Sequence, residues 1–162
     1  MQIPNIALSV RQPWAWAIIH AGKDIENRST YAVTKGGFEP KRICIHASKG
    51  MTKDEYEAAR DFMATLDVEC PRPDDLIRGA IIGMVTVTAV VNDHSSPWFF
   101  GPRGLVLTDP VAIEPIPASG ALGYFKWQET GAPTDPLPWM INWPPEKQKP
   151  TQPKPLPLLG EA

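Results

Sequence analysis

The sequence predicts an α+β domain: a small, mostly antiparallel β-barrel of five to seven strands, with two or so helices at its side or mouth. Three observations carry that expectation. Short runs of β-rich residues are separated by turn signals. Two early segments instead place apolar residues at helical spacing between recognisable caps. Proline is concentrated at the end of the chain, with nine of the nineteen prolines in the last 32 residues. The domain therefore divides into a folded body over 1–130 and a Pro-rich extension over 131–162.

"IALSV" reads as the first strand. Pro13 suits the first turn of a helix, where its missing N–H has no intrahelical role. Trp14, Ala17, Ile18 and Ala21 then share one helical face, and Gly22 is a natural stop, giving a helix near 13–21. A strand is expected over 25–30. "RICIHAS" alternates, placing Ile43, Ile45 and Ala47 on one face and Arg42, Cys44, His46 and Ser48 on the other, as in a half-buried strand.

Thr52 and Glu55 form a capping box for a second helix near 52–66. Its apolar stripe is Tyr56, Ala59, Phe62, Met63 and Leu66. "VECPRPDD" is a loop, and "GAIIGMVTVTAVV" is apolar enough on both faces for a central strand. The polar, aromatic loop "NDHSSPWFFGPRG" leads to strands at "LVLTD", "VAIEPI" and "LGYFKW". The extension from Gly131 offers no periodic apolar face. It is expected to be partly ordered, wrapped on the body through Trp139 and Trp143 and disordered at its end.

At 162 residues the chain can bury a core of its own. No apolar run reaches the roughly 18–20 residues of a membrane span. "MQIPNIALSV" lacks the basic and apolar regions of a secretory leader, so the expected setting is cytoplasmic, away from membranes, with a monomer favoured. Cys44 and Cys70 are too isolated for a disulfide framework. No metal and no cofactor are expected: His20, His46 and His94 lie in different segments without ligand spacing, and there is no G-x-S-x-G and no phosphate-binding glycine loop. His46 reads as an ordinary strand histidine, and Cys44 shares its face without further support for a thiolate–imidazole pair.

The net charge of −2 gives no global attraction to nucleic acid. Residues 1–60, however, hold nine Lys/Arg against six Asp/Glu, a mild excess that fits a nucleotide or short strand better than long duplex. Within that half, Lys23, Asp24, Glu26 and Arg28 crowd into six positions directly after the apolar "PWAWAII". Charges at a core edge are costly unless paired or used. On a strand, Asp24, Glu26 and Arg28 share one face and Ile25 the other. Lys23 sits at the bend, where periodicity does not fix its direction. Spacing alone leaves two readings, a structural ion pair closing a helix–strand corner and a ligand site.

Gly22, Lys23, Glu26 and Arg28 spell G-K-x-x-E-x-R, and the chain here resembles the ASCH domain, a PUA-like barrel family. "LSVRQPWAWAIIHAGK", "ICIHASK", "GMVTVTAVV", "SPWFFGPRGLVL" and "GALGYFKW" are similar, in order, to its transcription-coactivator and bacterial branches, covering roughly 6–128. The resemblance implies a PUA-like barrel with a cleft between the first helix and the strands that receives a nucleobase or RNA. Partners implied are a nucleoside or single-stranded RNA.

The residue types suit such a ligand. Trp14, Trp98 and Phe99 offer stacking surface, worth roughly 1–3 kcal/mol per base, with core packing the alternative for Trp14 and Trp98; Trp16 and Trp127 read as core. Gln12, Glu26 and Ser48 are candidates for reading a base edge, and Lys23 and Arg28 for anionic or carbonyl oxygens.

One ASCH branch hydrolyses the amide on the exocyclic amine of acylated cytidine with a motif Lys, a Thr three residues later and a distant Glu. Lys23 matches, but Glu26 stands where that branch has Thr, so the nucleophile does not carry over. In an amidohydrolase reading Glu26 is the general base on water, Lys23 stabilises the oxyanion or protonates the leaving amine, and Asp93 is a third carboxylate. The alternative is a binding module for RNA or a modified base, without chemistry.

Overall fold

The computed structural model describes residues 1–145. Among these, six strands form one curled mixed sheet flanked by four α-helices, an α+β half-barrel. The strands are β1 (Ile6–Val10), β2 (Ile25–Arg28), β3 (Lys41–Ala47), β4 (Ala80–Val91), β5 (Arg103–Pro117) and β6 (Tyr124–Lys126). The helices are α1 (Trp14–His20), α2 (Thr30–Gly36), α3 (Lys53–Ala64) and α4 (Pro138–Ile141). The sheet order is β2-β5-β4-β3-β1-β6, so β4 is central, as its two apolar faces require. Only β1 and β3 pair in parallel; the other four pairings are antiparallel. None of the described helices is long and apolar enough to cross a membrane.

Helix α1 lies against the inner face, where Ala15, Ile18 and Ile19 meet Ile43, Ile45, Val85, Leu105 and Leu107. Gly83 on β4 permits that approach, since a Cβ there would stand 2.6 Å from Ile19 Cδ1 and 2.7 Å from Val111 O. Helix α3 has the expected capping box, with Thr52 Oγ1 accepting from Glu55 N and Glu55 Oε1 accepting from Thr52 N. Its buried stripe is Tyr56, Ala59 and Met63.

Four elements differ from the sequence reading. Strand β2 ends at Arg28, and Thr30 opens α2, a helix capped by Ser29 Oγ accepting from Ala32 N and ended by Gly37 in the left-handed region. "LVLTD" and "VAIEPI" form one strand, β5, because Asp109 (φ 53°) and Pro110 make an extra bulge between the Thr86–Thr108 and Met84–Val111 pairs. A bulge is where a strand tolerates a proline, which has no N–H to donate. Strand β3 is buried on both faces from Ile43 to Ala47, because Phe125 of β6, Trp127 just after it and the loop after β5 cover what alternation assigned to solvent.

The fourth difference lies in the extension, which wraps on the body through Trp139 and Trp143 as expected but also supplies core. Met140 on α4 is buried with Met51, Tyr56 and Leu76, and Trp139 and Trp143 pack beside it. Trp143 Nε1 donates to Glu57 Oε2 at 3.1 Å. Arg78 fastens the segment: it is 3% exposed and donates to Lys49 O and, at 2.7 Å, to Asp135 O. The expected disorder at the chain's end lies outside the described residues.

Candidate functional site: a groove beside the buried charge chain

Gly22, with φ +75°, turns the chain after α1 in a conformation that favours glycine. Lys23 N–H then returns to Ala17 O, and Leu107 N–H takes Asp24 O, which aims β2 along the end of β5. In this register Ile25 enters the core and Glu26 and Arg28 share the other face. Asn27 holds the neighbouring loop: its Nδ2 donates to Trp98 O, and its Oδ1 accepts from Phe100 N and Gly101 N. Asp24 Oδ1 accepts from Ser96 Oγ at 2.6 Å, a second tie to that loop.

The charges form a chain. Lys23 Nζ is 3.8 Å from Glu26 Oε1, and Glu26 Oε2 is 3.1 Å from Arg28 Nη2. Lys23 lies inside, its side chain 2% exposed, donating to Ile25 O. Two indoles flank it, Trp14 at 5.3 Å and Trp98 at 5.6 Å from ring centroid to Nζ. Burial pushes the Lys23 pKa below its ordinary value, a shift that Glu26 and Asp24 oppose and Arg28 reinforces. Arg28 Nη2 also donates to Ser9 O at 3.0 Å. Its Nε is buried without a hydrogen-bond partner among the described residues. An unpaired buried donor costs about 1–3 kcal/mol.

Arg28 and Glu26 face a groove of about 350 Å³, whose lining includes Ser9, Arg11, Trp14 and Asn27. That volume is near the lower end of the roughly 300–1,000 Å³ range of ligand sites. Arg11 is already paired with Glu55 at 2.6 Å.

The predicted site residues separate on this geometry. Trp14, Glu26 and Arg28 line the groove, and Lys23 stands behind them. Trp98 is buried (5% exposed) and covers Lys23, edge-on to Trp14 at 6.4 Å. Phe99 packs on Ile25's neighbour Gly104, while Phe100 is the exposed aromatic of the loop. Gln12 has both ends occupied, donating to Ile77 O at 2.8 Å and accepting from Trp16 N at 2.9 Å, so it is a tether. Ser48 follows β3, its N–H on Val10 O; its hydroxyl is buried without a partner among the described residues, outside the groove lining. Asp93 is exposed on the loop after β4 and does not line the groove.

Asn27, Ser9 and helix α2 escaped the sequence reading. The signal for α2 was present: Ser29 and Gly37 bracket a segment as N-cap and C-terminal stop. His46, buried at 1% exposure, receives Ser9 Oγ–H on Nδ1 at 2.8 Å and donates Nε2–H to Ala118 O at 2.7 Å, and desolvation lowers its pKa. Cys44 Sγ donates to Pro4 O, and burial pushes its pKa up to about 11. That pair is inert packing.

Neither a scan against protein-family models nor a search of curated proteins finds a match to this chain.

Proposed function

We propose that the groove receives a nucleobase and that the chain is an ASCH-type, PUA-like nucleoside-recognition domain. One observation carries the reading: a carboxylate and a guanidinium stand side by side in the groove next to an indole. Cytosine matches this set. Its exocyclic amine donates to a carboxylate, its ring carbonyl accepts from a guanidinium, and its face stacks on an aromatic ring. Lys23, held behind Glu26, sets a second cation 3.8 Å from the carboxylate. Titration with cytidine, followed through tryptophan fluorescence, should saturate in the wild type and weaken at least tenfold in Glu26→Gln. Absence of any saturable change overturns the reading.

A hydrolytic reading of the same groove is favoured by the Lys23–Glu26 contact, since a lysine of lowered pKa beside a carboxylate is a common acid–base arrangement. Lys23 does not line the groove, so the group that meets water is Glu26. Glu26 takes a proton from water as its oxygen bonds to the acyl carbon of an N4-acylated cytidine. The carbon–nitrogen bond then breaks, and that proton passes to the departing amine, giving a carboxylic acid and cytidine. Incubation with N4-acetylcytidine should release acetate and cytidine in equal amounts. Binding without release over hours removes the hydrolytic reading and leaves recognition standing.

A further inference from the structure

Strand β6 lies at the edge of the sheet, paired with β1 on one side only. Trp127 N–H donates to Asn5 O at 3.2 Å, and the register sets Phe125 against Ala7. Main-chain groups alternate along an antiparallel pair, so Phe125 and Trp127 face β1 while Tyr124 and Lys126 turn their N–H and C=O outward. No main-chain bond to another described residue takes those outward groups. Beside them lies a depression of about 370 Å³ between α2 and the loop before β6. Tyr31, 72% exposed, and Leu122, 97% exposed, belong to its walls together with Tyr124. The charged side chains in its lining are Arg28 and Lys35; among the described residues no carboxylate lines it. Lys126 is exposed on the strand face of Tyr124, and like Lys35 it has no carboxylate within ion-pair distance among the described residues. At the margin, Glu39 is paired with Lys41 at 3.3 Å.

From this juxtaposition we infer that the β6 edge and the depression beside it dock an extended acidic peptide of a partner protein, which adds to the sheet as a further strand. The inference goes beyond the nucleobase reading and does not depend on it. An open strand edge is a template for another chain. Strand addition draws affinity from the main chain and specificity from alternate side chains. On the face that Tyr124 and Lys126 share, the partner places an apolar side chain beside Tyr124, entering between Tyr31 and Leu122. The next side chain on that face, in one direction, is a carboxylate for Lys126; in the other direction it is a carboxylate for Lys35. A second copy of this chain is the wrong occupant, because edge-to-edge pairing brings the cations of one edge to those of the other. A partner rich in carboxylates is the complement of this face.

The test titrates the full chain with the capped peptide acetyl-Glu-Thr-Val-Thr-Glu-amide and follows backbone amide resonances. The amides of Tyr124 and Lys126 should shift in a saturable way and gain protection from hydrogen exchange. Replacing both glutamates of the peptide by lysine should weaken binding by about tenfold or more, as should Lys35→Glu in the protein. Tyr31→Ala should weaken it by about fivefold or more. Both side chains are exposed and neither lines the groove, so the fold and cytidine binding stay as in the wild type. Two further peptides, N-methylated on alternate residues in the two possible sets, should differ by about tenfold or more, because only one set of amides faces β6. Equal affinity of those two, an unchanged affinity for the lysine peptide, or no shift at Tyr124 and Lys126 overturns the inference. So do shifts of these amides with hexacytidylate RNA and not with the peptide. Concentration-dependent dimerisation that Lys35→Glu leaves intact would assign the edge to a second copy and overturn it as well.

Discussion

Arg28 and Arg78 are both withdrawn from solvent, yet they are opposite kinds of residue. Arg78 sits under the extension with no carboxylate within ion-pair distance among the described residues, and two backbone carbonyls, Lys49 O and Asp135 O, take its guanidinium. Both belong to segments with no regular pairing of their own, so Arg78 acts as a clamp between loops. Arg28 is held on one side only, by Glu26 and Ser9 O, and keeps an unpartnered Nε beside a groove. Burial of a charge therefore does not mark a site in this molecule. What makes Arg28 the candidate is a charge chain that opens onto a groove.

The largest effect that would sharpen this contrast is on stability. Arg78→Ala strands two carbonyls that the guanidinium had paired, at about 1–3 kcal/mol each. Urea unfolding should show a loss of about 2–6 kcal/mol, while cytidine titration of the folded fraction stays as in the wild type. A near-neutral result would dissolve the distinction. Arg28→Lys should do the reverse. It keeps the charge but loses the planar fork that spans Glu26, Ser9 O and a ligand acceptor. Ligand affinity should fall by about 1.5–3 kcal/mol, roughly 10- to 150-fold, with the urea midpoint nearly unchanged. If this variant unfolds instead, Arg28 is a clamp as well and the ion pair is structural.

His46 extends the comparison to a titrating group that is closed on both sides. Its pKa is lowered by desolvation, so the unfolded chain binds its proton first as pH falls. The stability it contributes is fully present above the unfolded value of about 6.5 and is lost as pH drops through the folded value. Across that window the wild type should lose stability at up to about 1.4 kcal/mol per pH unit more than His46→Gln. Parallel pH curves for the two proteins would show that the imidazole is not closed. The smallest effect belongs to Asp93→Asn. An exposed carboxylate away from the groove should change stability by less than about 0.5 kcal/mol and leave ligand affinity alone. A marked loss of turnover or binding would restore Asp93 to the site.

How much was legible in the sequence follows from the range of each interaction. Caps and periodicity are local, which is why the strand at 6–10, the first helix, the capping box of Thr52 and Glu55 and the central strand over 80–91 were all readable. Alternation also placed Glu26 and Arg28 on one face, and they pair. Helix α2 was missed although Ser29 and Gly37 marked it, because its seven residues present no apolar stripe and none of them is buried. Gln12 looked like a base reader because an amide's partners cannot be known before the chain folds; its partner at Ile77 lies 65 residues away.

The sequence by itself determined the types of β1, α1, β3, α3 and β4, the central position of β4 and the co-facial charges, since each depends on propensities and periods within a few residues. Tertiary structure alone decided where the ends of those charges point. Lys23 follows a glycine in the left-handed region, and only the meeting of Trp14 and Trp98, 84 positions apart in sequence, makes the apolar slot that draws its ammonium inward. The same long-range packing turned a proline-rich tail into core: α4 offers too few residues to be stable alone, but Met140 packs against Met51, Tyr56 and Leu76 from distant parts of the chain.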